Sequence, residues 1–226
     1  MKDNRPPPIF IADALGLDFL NSIAVPVDTQ VEWLASGEDL LDWLVKAGLI
    51  PPDVPAALKK AAVPGELNAA AGQARALREW FRAFVHTHKG RPLEEAALQQ
   101  LEPLNQVLAR DEEFGQIVAR EHHHGHQHES AIADRTVSGL AWRAKRRWRS
   151  PDSLLLPIAR AMADLLCDHD FTDVKACEGP SCTLLFVDRT RGRVRRWCSM
   201  AVCGNRAKQA AHRERASRQS RNEDIP

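Results

Sequence analysis

Cys177-Glu178-Gly179-Pro180-Ser181-Cys182 is followed, fifteen residues later, by Cys198-Ser199-Met200-Ala201-Val202-Cys203-Gly204, a C-x4-C-x15-C-x4-C pattern. Each pair makes a tight loop in which the two sulfurs converge, and glycine in or just after the loop permits the backbone this needs. Two such loops facing one another give a four-sulfur tetrahedral site, the form that zinc takes in structural centres. With every position held by cysteine no coordination site is left open for a substrate, so the expected role is structural. A metal also explains how roughly forty residues with few apolar side chains fold at all.

Disulfides are the competing reading. Five cysteines would leave one unpaired, and a chain read as cytoplasmic seldom keeps disulfides. Cys167 stands outside both pairs in an amphipathic stretch and is expected to be a small buried hydrophobe.

Around the cysteines the charge is segregated. The whole 226-residue chain has a formal charge of +1, yet residues 189–221 hold 11 Lys and Arg against Glu214 alone, a local +10, while residues 1–188 carry −7. An acidic body with a basic end points to a polyanion-binding module. Between the cysteine pairs, Leu184 to Asp188 is strand-like and Arg189-Thr190-Arg191-Gly192-Arg193 offers a turn. After the second pair, Asn205 is positioned to cap a helix carrying Arg206, Lys208, His212, Arg213, Arg215 and Arg218 between alanines.

Cations fixed on a rigid, metal-anchored element suit phosphate, so DNA is the expected partner. The candidate contacts are Arg189, Arg191, Arg193, Arg195, Arg196, Asn205, Arg206, Lys208, Arg213 and Arg215. Arginine also reads guanine edges and asparagine adenine, although capping is the commoner task for Asn205. Trp197, beside a ligand, is read as a mini-core residue rather than a base-stacking one. Without a row of exposed aromatics the module favours duplex DNA over single-stranded RNA. The alternative is a protein-interaction module whose basic helix docks on an acidic partner.

The preceding residues read as mainly helical. Ser36-Gly37-Glu38-Asp39 resembles a capping box that opens a helix burying Leu40, Leu41, Trp43 and Leu44, with Gly48 as its stop and Pro51-Pro52 beyond. A longer helix is predicted from Glu66 to His88, with Leu67, Ala70, Ala74, Leu77, Phe81 and Val85 on one stripe and Gly90 ending it. Leu98, Leu101, Leu104 and Leu108 continue the period, divided or bent at Pro103. Phe114 to Ala119 and Ala131 to Val137 alternate like strands, predicting a two-stranded ribbon whose turn holds the histidines. Leu155, Ile158, Ala159, Met162, Leu165 and Leu166 return to helical spacing.

The stretch Cys182-Thr183-Leu184-Leu185-Phe186-Val187-Asp188-Arg189-Thr190, with Arg195-Arg196-Trp197-Cys198 and the tetrad Cys203-Gly204-Asn205-Arg206, resembles the CGNR-type zinc finger of bacterial proteins over about residues 174–217. Through Leu17-Asp18-Phe19-Leu20-Asn21, Asp39-Leu40-Leu41-Asp42-Trp43-Leu44 and Leu77-Arg78-Glu79, residues 10–160 more loosely resemble the ABATE domain, a stress-induced regulator domain usually paired with that finger. The resemblance implies a zinc-dependent transcription regulator with a helical domain over residues 1–170, a finger over 174–217 and a tail over 218–226. The first domain would sense a ligand or mediate dimerisation. Asp18, Asn21 and Arg78 match marked positions of that domain and are candidates to line a small-molecule pocket, or to act as caps or buried hydrogen-bonding groups.

His122, His123, His124, His126 and His128 crowd one turn, which does not belong to the pattern. They are a candidate secondary metal or haem site coupled to the finger, or an exposed turn with incidental metal affinity. Arg143-Ala144-Lys145-Arg146-Arg147-Trp148-Arg149 is a second basic run that would extend a DNA footprint or simply lie solvated. There is no phosphate-binding glycine loop, no Gly-x-Ser-x-Gly and no His-Glu-x-x-His, so catalysis is not expected. Apolar runs are far shorter than the roughly 20 residues of a membrane span, and the polar, proline-rich start is unlike a secretory signal, so the expected location is the cytoplasm.

Overall fold

A computed structural model describes residues 5–25, 29–119 and 139–223, with side chains described as far as Arg215. Among these residues the chain is mainly α, with three two-stranded antiparallel pairs. The histidine turn, His122 to His128, and the strand expected at Ala131 to Val137 lie outside the described residues.

Helix α1 (Leu15–Leu20) is short and almost wholly buried. It is followed by the strand pair β1 (Ile23–Ala24) and β2 (Val31–Glu32). The capping box opens α2 (Gly37–Lys46): Ser36 accepts from the Asp39 amide while the Asp39 carboxylate accepts from the Ser36 amide. Trp43, Leu40, Leu41 and Leu44 are buried as expected, and the backbone turns left-handed at Gly48 and, after the long helix, at Gly90. Helix α3 (Val54–Ala61) leads to α4 (Glu66–His88), whose Ala70, Ala74, Phe81 and Val85 are buried.

The segment with Pro103 divides into a 3-10 helix, Glu95–Leu101, and α5 (Glu102–Leu108). Pro103 sits in the first turn of α5, where its missing N–H costs nothing. Leu104 is buried, whereas Leu98 is exposed because the 3-10 stretch turns it away from the core.

The ribbon is present, but its second strand is not where the alternation suggested. β3 (Glu113–Ala119) pairs with β4 (Leu140–Arg146), placing Ile117 opposite Trp142. The basic run therefore forms much of a strand. Its cations are partly neutralised locally: Arg146 makes a two-pronged bond to Asp111 at 2.6 Å, and Arg149 pairs with Glu112 at 2.8 Å.

Helix α6 (Leu155–Asp168) packs on α1 so closely that a Cβ on Gly16 would lie 2.7 Å from the Ala161 carbonyl oxygen. Only glycine allows that approach. Cys167 is exposed, not buried, because it falls on the outer face near the end of α6.

The C-terminal hairpin joins β5 (Val174–Ala176) to β6 (Leu185–Val187), with the first cysteine pair in the connection. The partner of β6 is thus the strand before the cysteines. Its other edge is covered by the helical body: the Leu185 amide donates to Asn21 and the Val187 amide to the Ala12 carbonyl. Leu184, Leu185, Phe186 and Val187 are buried in one core continuous with Phe19, Phe81 and Met162. Among the described residues no helix is long and apolar enough to cross a membrane.

Candidate metal centre

The two cysteine loops are held by backbone bonds. The Cys182 amide donates to the Gly179 carbonyl, closing the first loop. A π-helical turn, Met200–Gly204, forms the second, with the Gly204 amide bonded to Ser199. The Glu178 amide donates to the Arg196 carbonyl and so ties the loops together. A Cβ on Gly179 would stand 3.1 Å from both the Cys203 sulfur and the Cys182 Cβ, so a larger residue there would press the first loop against the second.

These restraints bring the sulfurs of Cys177, Cys182, Cys198 and Cys203 within 4.8 Å of one another. Cys182 and Cys198 are separated by 3.7 Å and Cys198 and Cys203 by 3.6 Å. A tetrahedron of sulfurs at the usual zinc–sulfur bond length has edges of about 3.8 Å, so the donor set fits the ion. Amides of Gly179 and Cys198 point at the Cys177 sulfur, at 3.4 and 3.3 Å, as outer-shell donors do toward metal-bound thiolates.

Electrostatics argue the same way. The hydrogen bond to Cys198, assisted by the Leu184 amide, pulls the Cys182 thiol down to about 5 against the effect of burial. Cys198 is raised, first through its bond to Cys182, then by burial and the charge on Cys182 and Cys177. Burial and the same neighbouring charges push Cys203 up to about 12. The Cys182 thiolate thus helps hold Cys198 and Cys203 protonated, and a bound cation would offset that repulsion.

Residues 13–169 match the model of the ABATE family, described as "Putative stress-induced transcription regulator", and residues 174–216 match that of the CGNR zinc finger. The chain belongs to the ABATE family. No curated protein matches it. The four clustered cysteines of its CGNR finger form a structural zinc site.

Within this ABATE protein the candidate DNA contacts divide into two groups. Arg195 is an internal clamp: it donates to the carbonyls of Ile11, Trp197 and Cys198, pairs with Asp13 at 2.5 Å and lies 4.2 Å from the Phe186 ring centre. Arg193 bonds the Asp188 carbonyl and pairs with Asp173 at 3.1 Å, and Arg196 pairs with Glu178 at 2.5 Å. Arg189 is exposed and reaches His169, and Arg191 is exposed on the same turn. Helix α7 (Asn205–Glu223) starts directly from the π-turn. Asn205 is already helical there and donates its side-chain amide to the Ala201 carbonyl, so it continues the helix and does not cap it. Lys208, Arg213 and Arg215 are exposed along α7, and Arg206 is half-buried near its start. Trp197 is half-buried against the core with Arg196 over its ring.

Asp18, Asn21 and Arg78 are all buried and bonded to protein groups. Asp18 accepts the amides of Ile11 and Ala12, and burial still raises its carboxyl to about 6. Asn21 exchanges two hydrogen bonds with Leu185. Arg78 makes a two-pronged bond to Glu32, at 2.8 and 2.6 Å, and also bonds Ser22 and Glu79.

Asp188 is a centre that the pattern reading missed. Fully buried, it accepts from Lys175, from the Thr190 amide and hydroxyl, and from the Arg195 amide. Burial alone would raise its carboxyl, but these donors hold it well below the usual carboxylate range. The local signal was an aspartate two residues before a threonine at a strand end, the signature of an Asx-turn.

Proposed function

We propose that this protein is a zinc-dependent, DNA-binding transcription regulator. The observation that carries this reading is α7. It has no apolar stripe, it begins at the zinc site, and Lys208, Arg213 and Arg215 form no ion pair among the described residues. A helix polar all round gains nothing from packing on the body and wants a charged partner. Duplex DNA supplies one, with a phosphate repeat that such a helix follows.

Arg189 and Arg191 lie on the adjoining turn and extend the same strip, with Arg206 and Asn205 at the root of α7. Arg193, Arg195 and Arg196 serve chiefly to hold the finger in shape, and they present fewer free donors to phosphate. Zinc fixes the direction in which α7 leaves the finger. The ABATE domain sets oligomeric state or transmits a signal through the hydrogen bonds that Ala12 and Asn21, on either side of α1, make with β6.

Selection of fragmented genomic DNA by the zinc-loaded protein, followed by sequencing, tests this. Enrichment of a short shared site supports a specific regulator. No enrichment and no retention of DNA at moderate salt would reject the reading in favour of an acidic protein partner.

A further inference from the structure

A cleft of about 440 Å³ opens where the helical body meets the zinc finger. One wall is α4, through Glu79, Arg82 and His86. The floor is Ile23, Ala24 and Val25 with Gln30, and the far wall is Ala176, Cys182 and Thr183. Its size is that of a small-molecule site, mostly apolar with a few polar groups. Asp18, Asn21 and Arg78 are not among its lining residues.

The polar groups of the α4 wall are incompletely used. Among the described residues Arg82 donates Nε to Glu79 and Nη2 to the Leu20 carbonyl, while Nη1 makes no bond and none engages the ring of His86. Glu79 is spent: its two oxygens accept from Arg78 and from Arg82. Burial, then the cations Lys89 and Arg82, lower the His86 pKa, so a negative group beside it would be welcome. The far wall has the opposite character. A zinc ion with four thiolates carries net negative charge, so an anionic head is repelled from Cys182 and directed to α4.

We propose that this cleft binds a small molecule with an apolar body and one carboxylate, the acid held by Arg82 and His86 and the body lying against Ile23 and Ala176. The far wall includes a zinc ligand and Thr183, whose hydroxyl accepts the Val25 amide at 3.0 Å. A ligand bridging both walls therefore retards opening of the first cysteine loop, and by linkage zinc and ligand strengthen each other's binding. This does not rest on DNA being the partner.

The test uses zinc-loaded full-length protein with three probes of one shape: benzoate, benzamide and benzylamine. Benzoate is expected to bind saturably with Kd of about 1 mM, at least about tenfold more tightly than the neutral and cationic probes. At saturation it slows zinc transfer to a chelator several-fold. Arg82→Gln weakens benzoate about tenfold, and Ala176→Trp, which fills the cleft from an exposed position, abolishes both effects. Should Ala176→Trp fail to hold zinc, Gln30→Trp fills the cleft from the opposite rim. No saturable benzoate binding, equal binding of benzylamine, or undiminished binding in a filled-cleft variant that holds zinc would overturn the proposal.

Discussion

Asn21 and Leu185, 164 residues apart, exchange two hydrogen bonds of 2.9 Å, the side-chain amide of one with the backbone N–H and C=O of the other. The asparagine imitates a neighbouring strand and completes the open edge of β6. Because both residues are buried, water cannot replace either bond. The finger is thereby fastened to α1, and disturbance on one side is felt on the other.

Asn21→Ala leaves the Leu185 N–H and C=O buried without partners. At roughly 1–3 kcal/mol for each unsatisfied group, a loss of about 3 kcal/mol is expected. Denaturant unfolding checks this, and the finger should open at lower denaturant than the helical body, giving two transitions by tryptophan fluorescence and far-UV circular dichroism. A single unshifted transition would show that the contact is energetically idle.

Asp18 gives a pH signature. Its carboxyl is raised from 3.8 to about 6, so the folded state holds this proton more tightly than the unfolded chain. That contribution is full below pH 4 and is lost as pH rises toward 6. Between those limits the stability of the wild type relative to Asp18→Asn should fall by on the order of 2 kcal/mol. Parallel pH profiles for the two proteins would contradict the assignment.

Removing the metal tests the coupling from the other side. Cys203→Ser takes one ligand from the tetrahedron and should abolish stoichiometric zinc binding, measured by metal analysis. The α-helical signal should persist, since the cores of α2, α4 and α6 need no metal, but the body should melt several degrees lower because β6 is no longer well held. An unchanged melting temperature would mean that the finger and the body are independent.

The two classes of arginine predict opposite phenotypes. Arg195→Ala loses bonds to three carbonyls and to Asp13, so it should cost about 2–3 kcal/mol and weaken zinc retention. Arg191 makes no hydrogen bond or ion pair among the described residues, so Arg191→Ala removes no structural contact there. It should leave stability within about 0.5 kcal/mol and lower the salt slope of DNA binding by about 0.9. Thermal melts beside filter-binding assays separate the cases.

Local sequence carried the local features. The cysteine spacing, the Ser36–Asp39 box and the stripe of α4 are written within a few residues, because caps, helical faces and knuckles are short-range devices. The ribbon shows where such reading stops. Leu140, Trp142 and Ala144 alternate with Ala141, Arg143 and Lys145, but the charge drew attention away from the strand period, and pairing register is a tertiary property. The roles of Asn21, Asp188 and Arg195 depend on partners brought close only by folding, so composition and charge made Arg195 look like a phosphate contact when its guanidinium is enclosed by carbonyls.

The central claim is best tested by measuring DNA affinity of the zinc-loaded protein across a salt series, with and without a chelator. Five phosphate contacts, from Arg189, Arg191, Lys208, Arg213 and Arg215, predict a slope of about −4.5 in log affinity against log salt, and loss of the complex when zinc is stripped. Affinity independent of salt, or binding that survives complete removal of the metal, would contradict the account.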